Sequence, residues 1–201
     1  MTRIRENSIL VIITVMRKGG RKMIFYNSEL NDNNDIIVCG YSQKYWISKE
    51  RKERDPHFDV YSGKILDLKD KDPKAIEFFY NMLNPEICNN VSICVVPSHD
   101  AENKTSGTHL LAKKLVENGR LDMIYAITRK YSVSKRAYGG DRSFESQFNS
   151  ICINNNVNVS GEIVLLLDDV TTTGNSLYAC KELLLQNGAS KVSMIALGQS
   201  I

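Results

Sequence analysis

The residues of this chain best suited to chemistry are two adjacent carboxylates and the hydroxyl run behind them: Asp168 and Asp169, then Thr171, Thr172, Thr173, Gly174, Asn175 and Ser176. Ionised carboxylates only accept hydrogen bonds, so they suit the vicinal hydroxyls of a sugar and would repel a phosphate. The hydroxyl run has the opposite preference. Backbone N–H groups at a turn and a helix N-terminus point at an anion, Thr and Ser hydroxyls add donors, and Gly174 lets the backbone come close. A ribose carrying a 5-phosphate satisfies both halves. A strand whose terminal Asp caps the next helix would explain Asp169 or Thr173 alone, but not the complete string.

The elements that must position these residues follow from the apolar pattern. Residues 163–167 form a short aliphatic run with charge at its carboxyl side, which predicts a buried parallel strand. In open α/β sheets ligands bind outside the carboxyl ends of such strands. Leu177, Cys180, Leu183 and Leu184 follow at helical spacing up to Gly188, and residues 192–197 predict a closing strand. Upstream, Asp72 can cap a helix that has Pro73 at its first position and Ile76, Phe79, Tyr80 and Leu83 on one face. Residues 91–96 predict a strand, and residues 107–118 a helix that buries Leu111 and Leu115 and stops at Gly119. A strand over 123–128, a long basic loop over 129–142 and a short helix over 144–148 complete the core. Strands separated by helices predict a doubly wound parallel sheet in an α/β fold.

The N-terminal part reads differently. A hairpin with strands at 8–16 and 22–27 around Gly19-Gly20, then strands at 36–41 and 58–66, predicts a β-rich subdomain over residues 1–70, ahead of a core over 71–201. The apolar stretch 8–16 follows Arg3 and Arg5, but Glu6 interrupts the basic region and a basic run at 17–22 stands where a signal peptide has its small-residue cleavage site. That stretch is also too short to cross a bilayer. A net charge of +3 gives no dedicated nucleic-acid surface, and the basic runs at 17–22 and 49–54 read as solvated faces. Five cysteines without a CxxC pair point to reduced thiols and a cytoplasmic setting. His57 and His109 lack spaced partners, so no zinc site is expected.

The string LLLDDVTTTGNS, residues 165–176, closely resembles the signature of type I phosphoribosyltransferases, which bind 5-phosphoribosyl 1-diphosphate (PRPP) with magnesium. Counting Val164 just ahead of the string, four apolar residues, two acidic residues and a Thr-Thr-Gly phosphate loop are all in place. The resemblance covers about residues 90 to 198. The order VVP, Gly107, LAKKL, Ile127-Thr128-Arg129, then Arg142 and Phe148, looks most like the competence-protein-F and amidophosphoribosyltransferase-like branch, although the cysteine-rich metal ribbon of the competence proteins is missing.

The resemblance implies transfer of the 5-phosphoribosyl group to a nitrogen acceptor, a nucleobase or amine, with release of pyrophosphate. Asp168 and Asp169 would hold the ribose hydroxyls and, through the ligand, Mg2+; residues 171–176 would hold the 5-phosphate. The loop with Ser98 and His99 would touch pyrophosphate, and residues 130–141 would be a lid closing over PRPP. Among the loop cations Lys104, Arg129, Lys130, Lys135, Arg136 and Arg142, the strongest candidates to neutralise the leaving diphosphate are Arg129 and Lys135. A solvated loop would also be basic. Tyr41, Tyr45 and Trp46 could stack on a flat acceptor or be buried under the N-terminal segment. The alternative function is a catalytically silent PRPP- or nucleotide-sensing protein in regulation, DNA uptake or defence. Expected partners are PRPP and a small-molecule acceptor, with a homodimer as a further expectation; neither a membrane nor nucleic acid is indicated.

Overall fold

The chain is seen in a computed structural model that describes residues 36–48, 51–133 and 143–200. The hairpin expected at 8–27, most of the expected lid, and Lys135, Arg136 and Arg142 lie outside the described residues.

Two long strands form the middle of the sheet, β9 (Ile163–Thr171) and β10 (Lys191–Ser200). Around them stand β1 (Ile36–Val38), β5 (Ser92–Val95) and β6 (Leu121–Asp122) in the order β1-β10-β9-β5-β6, and every pairing is parallel. A two-residue strand β2 (Tyr41–Ser42) continues the β1 edge alongside the carboxyl end of β10. The period-2 alternation of β9 sorts its side chains into two layers. Leu165 and Leu167, with Ile93, Val95, Ile195 and Leu197, pack against helices α1 (Val60–Lys69), α2 (Pro73–Leu83) and α3 (Gly107–Val116). Val164 and Leu166, with Cys94, Met194 and Ala196, pack on the opposite face against α5 (Asn175–Gln186). Burying each of the larger apolar side chains contributes roughly 1.5–3 kcal/mol. The fold is therefore the expected α/β sheet, parallel and wound on both faces.

Connections on the two central strands diverge. From β5 the chain crosses through α3 to β6 on one side, whereas from β9 it crosses through α5 to β10 on the other. The loops leaving β5 and β9 consequently part, which opens a crevice at their carboxyl ends.

Local signals act as expected at several ends. Asp72 caps α2, its Oδ1 accepting from the Lys74 and Ala75 N–H groups at 2.8 and 2.9 Å, with Pro73 in the first turn. Phe79 and Leu83 are fully buried, while Ile76 and Tyr80 pack at the margin. Ser106 caps α3, and α4 (Phe144–Asn149) occupies the place of the short helix.

Two expected strands are corrected. Residues 58–66 are not a strand, because Asp59 accepts from the Ser62 N–H at 2.7 Å and starts α1, whose Ser62, Ile65 and Leu68 form a buried stripe at helical spacing. The aromatic and β-branched residues there mimic a strand, yet Val60 ends up on the exposed side. The stretch 123–128 is not one strand either. It is broken by a turn in which the Ala126 N–H donates to the Met123 carbonyl at 2.9 Å. Residues before the turn form β6 beside β5, and those after it form β7 (Ile127–Arg129), antiparallel to β8 (Ile151–Ile153). The N-terminal segment also includes a hairpin of β3 (Trp46–Ser48) and β4 (Glu53–Arg54).

Gly107 fixes how two of the helices meet. A Cβ there would lie 1.7 Å from the Leu68 carbonyl oxygen, so only glycine lets the start of α3 sit against the end of α1. Gly107→Ala should lower stability by about 3 kcal/mol or more, at the upper end of overpacking costs. The shift of the denaturant midpoint measures it, and a loss below about 1 kcal/mol would mean that α1 yields freely.

Candidate functional site

The crevice is a cleft of about 610 Å³ at the switch point, between the loop after β5, the end of β9 and the starts of α3 and α5. β9 runs further than the aliphatic run suggests, so Asp168 and Asp169 lie within it. Asp168 stands opposite Ala196 of β10, and the pairing continues to Thr171 opposite Gln199. Side-chain alternation then sends the two carboxylates apart. Asp168 shares parity with Leu166 on the α5 face, and Asp169 with Leu167 on the α1 face.

Backbone donors steady both carboxylates. Asp168 Oδ1 accepts from the Asp169 N–H at 2.9 Å, and Asp169 Oδ1 accepts from the Val170 N–H at 2.6 Å. Although Asp168 keeps some exposed surface, burial of its carboxyl pushes it well above the ordinary carboxylate range, and the neighbouring Asp169 charge pushes it further. The Asp169 N–H and the charge of Lys69 pull more weakly in the opposite direction. Lys69, at the end of α1, places Nζ 3.6 Å from Asp169 Oδ2.

Ser98, His99, Arg129, Thr172 and Ser176 also line the cleft. Thr171 does not; it is buried in the strand, while Thr173 is exposed on the turn. Gly174 takes the N-cap position of α5 at φ 81°, where a Cβ would come within 2.8 Å of Ile36 Cδ1 and 2.9 Å of the Tyr178 ring. No side chain caps α5, and Ser176 in its first turn lines the cleft, whereas Gly174 and Asn175 do not.

Arg129 reaches the cleft wall with its guanidinium engaged by the protein. Nε donates to the Ser98 carbonyl at 2.9 Å, Nη2 to the Pro97 carbonyl at 3.2 Å, and Nη1 to Gln147 Oε1 at 3.3 Å and to Ser150 Oγ. It holds the loop after β5 in position. Further along, the Val133 N–H donates to the His99 carbonyl at 2.8 Å and the Ala101 N–H to Ser132 Oγ at 3.0 Å, tying the same loop to the chain after β7. Lys130 is directed elsewhere, its ammonium donating to the Asn149 carbonyl at 3.2 Å.

Searches by sequence found no matching family model and no matching curated protein. Among solved structures, the chain is similar to a hypoxanthine-guanine phosphoribosyltransferase from Bacillus anthracis (13% identity, TM-score 0.39, 67% of this chain and 70% of that one). It is also similar to a phosphoribosylpyrophosphate synthetase from Mycobacterium smegmatis (18%, 0.35, 83% and 41%) and a purine phosphoribosyltransferase from Pyrococcus horikoshii (17%, 0.36, 69% and 73%).

Several cleft residues escaped the sequence reading. Lys69 lay just beyond an expected strand, so nothing located its ammonium. Gln147 sits on α4 and accepts from both Arg129 and Ser176 Oγ, the latter at 3.3 Å, a bridge between distant segments. Ser106 did carry a signal, since a Ser before an amphipathic run reads as a helix cap. Its capping partner is His109, whose Nδ1 accepts from the Ser106 N–H at 3.3 Å. Burial first, and then the charge of Lys113, lower the His109 pKa to about 4, which keeps the ring neutral for that role.

The donor set is all oxygen on the acidic side, two carboxylates rather than a cage. Among the described residues no group of three or more His, Cys, Asp or Glu could enclose a metal ion. Two carboxylates in one cleft are a donor set that fits Mg2+, which usually binds through one or two carboxylates together with phosphate oxygens and water. Also among the described residues, no helix is long and apolar enough to cross a membrane.

Because its pKa is raised on folding, ionised Asp168 destabilises the fold near neutral pH, and stability returns as pH falls through the raised value. Asp168→Asn should therefore raise Tm by about 2–4 °C at pH 7.5, on the order of 1 kcal/mol, with the gain shrinking toward pH 4. Thermal melts across pH measure this; an unchanged or lower Tm at pH 7.5 would show that the carboxylate is not strained.

Proposed function

We propose that this chain is a phosphoribosyltransferase, which transfers the 5-phosphoribosyl group of PRPP to a nucleobase or amine nitrogen and releases pyrophosphate. One observation carries the reading: an acceptor-only carboxylate pair and a hydroxyl-lined helix start open into the same cleft, at the point where the sheet's connections diverge. Few ligands need both. A phosphorylated sugar does, because its hydroxyls donate and its phosphate accepts.

In this reading Thr172, Ser176 and the start of α5 hold the 5-phosphate, and Asp168 and Asp169 hold the ribose hydroxyls. The diphosphate extends toward Ser98 and His99. Asp168 and Asp169 would hold Mg2+ indirectly, through the ligand, and the ion would supply positive charge against the leaving diphosphate. The C1–O bond breaks with its electron pair on pyrophosphate, and the acceptor nitrogen's lone pair forms the new C1–N bond. Asp169 is placed to stabilise the positive charge that develops on the ring, or to accept the proton that nitrogen sheds. Lys135 is assigned to the leaving diphosphate together with the lid that carries it. Acceptor choice is assigned to residues 1–70, where Tyr41 is half exposed on β2 alongside the carboxyl end of β10.

The silent ligand-sensing alternative is favoured by one feature. Arg129, a leading candidate for the diphosphate, donates instead to Pro97, Ser98, Gln147 and Ser150. Pyrophosphate release from PRPP across a panel of nucleobases and amines separates the two.

Replacing Asp168 and Asp169 together with Asn should weaken magnesium-PRPP binding by ~100-fold or more, since two charge-assisted contacts are lost, and leave the fold intact. Calorimetry giving wild-type affinity in the double variant would sink the assignment.

A further inference from the structure

We infer that Lys69 is a further cation that receives the diphosphate of the bound ligand, exchanging its contact with Asp169 for one with the ligand. The inference rests on the reading of the cleft as a PRPP site. Of the two described Lys and Arg side chains that line the cleft, Arg129 is engaged by four protein acceptors. Lys69 has its ammonium on one of the site's own carboxylates, at 3.6 Å, and its side chain is 44% exposed.

Magnitudes favour the exchange. A partly exposed ion pair of this length is weak, because water screens it and two side chains must be ordered to make it. A ligand whose hydroxyls engage Asp169 leaves the ammonium next to a diphosphate carrying several charges, a stronger partner than one carboxylate. Without such a cation the ligand would bring its diphosphate into a cleft already holding two carboxylates.

The backbone keeps Lys69 in reach. It follows Leu68, which is fully buried and whose carbonyl oxygen lies against Gly107 so closely that no side chain fits between them. The last turn of α1 is thus fixed beside the start of α3, where Gly107 and Thr108 line the cleft. The ammonium can swing on its four-carbon stem while its Cα stays in place.

The test compares two ligands that share ribose and 5-phosphate and differ in the diphosphate. Calorimetry with magnesium-PRPP and with ribose 5-phosphate is run on the wild type, Lys69→Met and Lys69→Arg, and melting curves establish that each variant is folded. Lys69→Met should weaken PRPP about tenfold or more, leave ribose 5-phosphate equal or slightly tighter, and be largely rescued by Lys69→Arg. Unchanged PRPP affinity in Lys69→Met would overturn the inference. So would an equal loss for both ligands, which would make Lys69 a support for Asp169 only. A wild type that binds neither ligand would instead overturn the PRPP reading itself, and this inference with it.

Discussion

Two like charges on consecutive residues of one strand set the terms for this site. Asp168 and Asp169 cannot be moved apart along the chain, and β9 is held by parallel pairing to β10 on one side and β5 on the other. The pleat relieves part of the repulsion by turning the carboxylates to opposite faces. Each then meets a different environment. Asp168, buried on the α5 side, has its carboxyl pushed well up, whereas Asp169, on the α1 side, has Lys69 within 3.6 Å. The asymmetry comes from burial and from a lysine that a different helix delivers.

The rest of the cleft serves to hold that arrangement. Arg129 fastens the loop after β5 through two backbone carbonyls and reaches α4 through Gln147, which in turn accepts from Ser176 at the start of α5. One guanidinium thus links the wall that would face a diphosphate with the turn that would face a 5-phosphate. Gly107 and Gly174 do comparable work by lacking a side chain. The first lets α1 and α3 touch, and the second lets the hydroxyl turn pass Ile36 and Tyr178 at positive φ. Burial of the Asp168 carboxyl works against its charged form, so this strand end is not built for stability alone.

Much of this was legible before any tertiary contact was known. The aliphatic run of β9, the Asp-Asp pair and the Thr-Thr-Gly turn are contiguous, so one stretch of chain specifies a buried strand, its carboxylates and the turn into α5 together. Asp72 with Pro73 is local in the same way, as is Gly119 at φ 86°, because a cap or stop depends on a few adjacent backbone groups. The alternation of strands and helices was enough to predict a parallel sheet wound on both faces.

What the tertiary structure alone decided lies wherever two distant segments compete for the same residues. Residues 58–66 have the β-branched and aromatic character of a strand, but a helix there buries Ser62, Ile65 and Leu68 against the sheet. Residues 123–128 look like one strand, yet the pairing with β5 is made by Leu121 and Asp122 just before them and that with β8 by Ile127 to Arg129, and the chain must turn between the two. Arg129 reads in sequence as a candidate for a diphosphate and is occupied by carbonyls some 30 positions away; Lys69 carries no signal in sequence and stands beside a carboxylate a hundred positions on. Local periodicity records which face of an element is buried. It carries no record of which other segment will cover that face, and that second fact decides where a charge ends up.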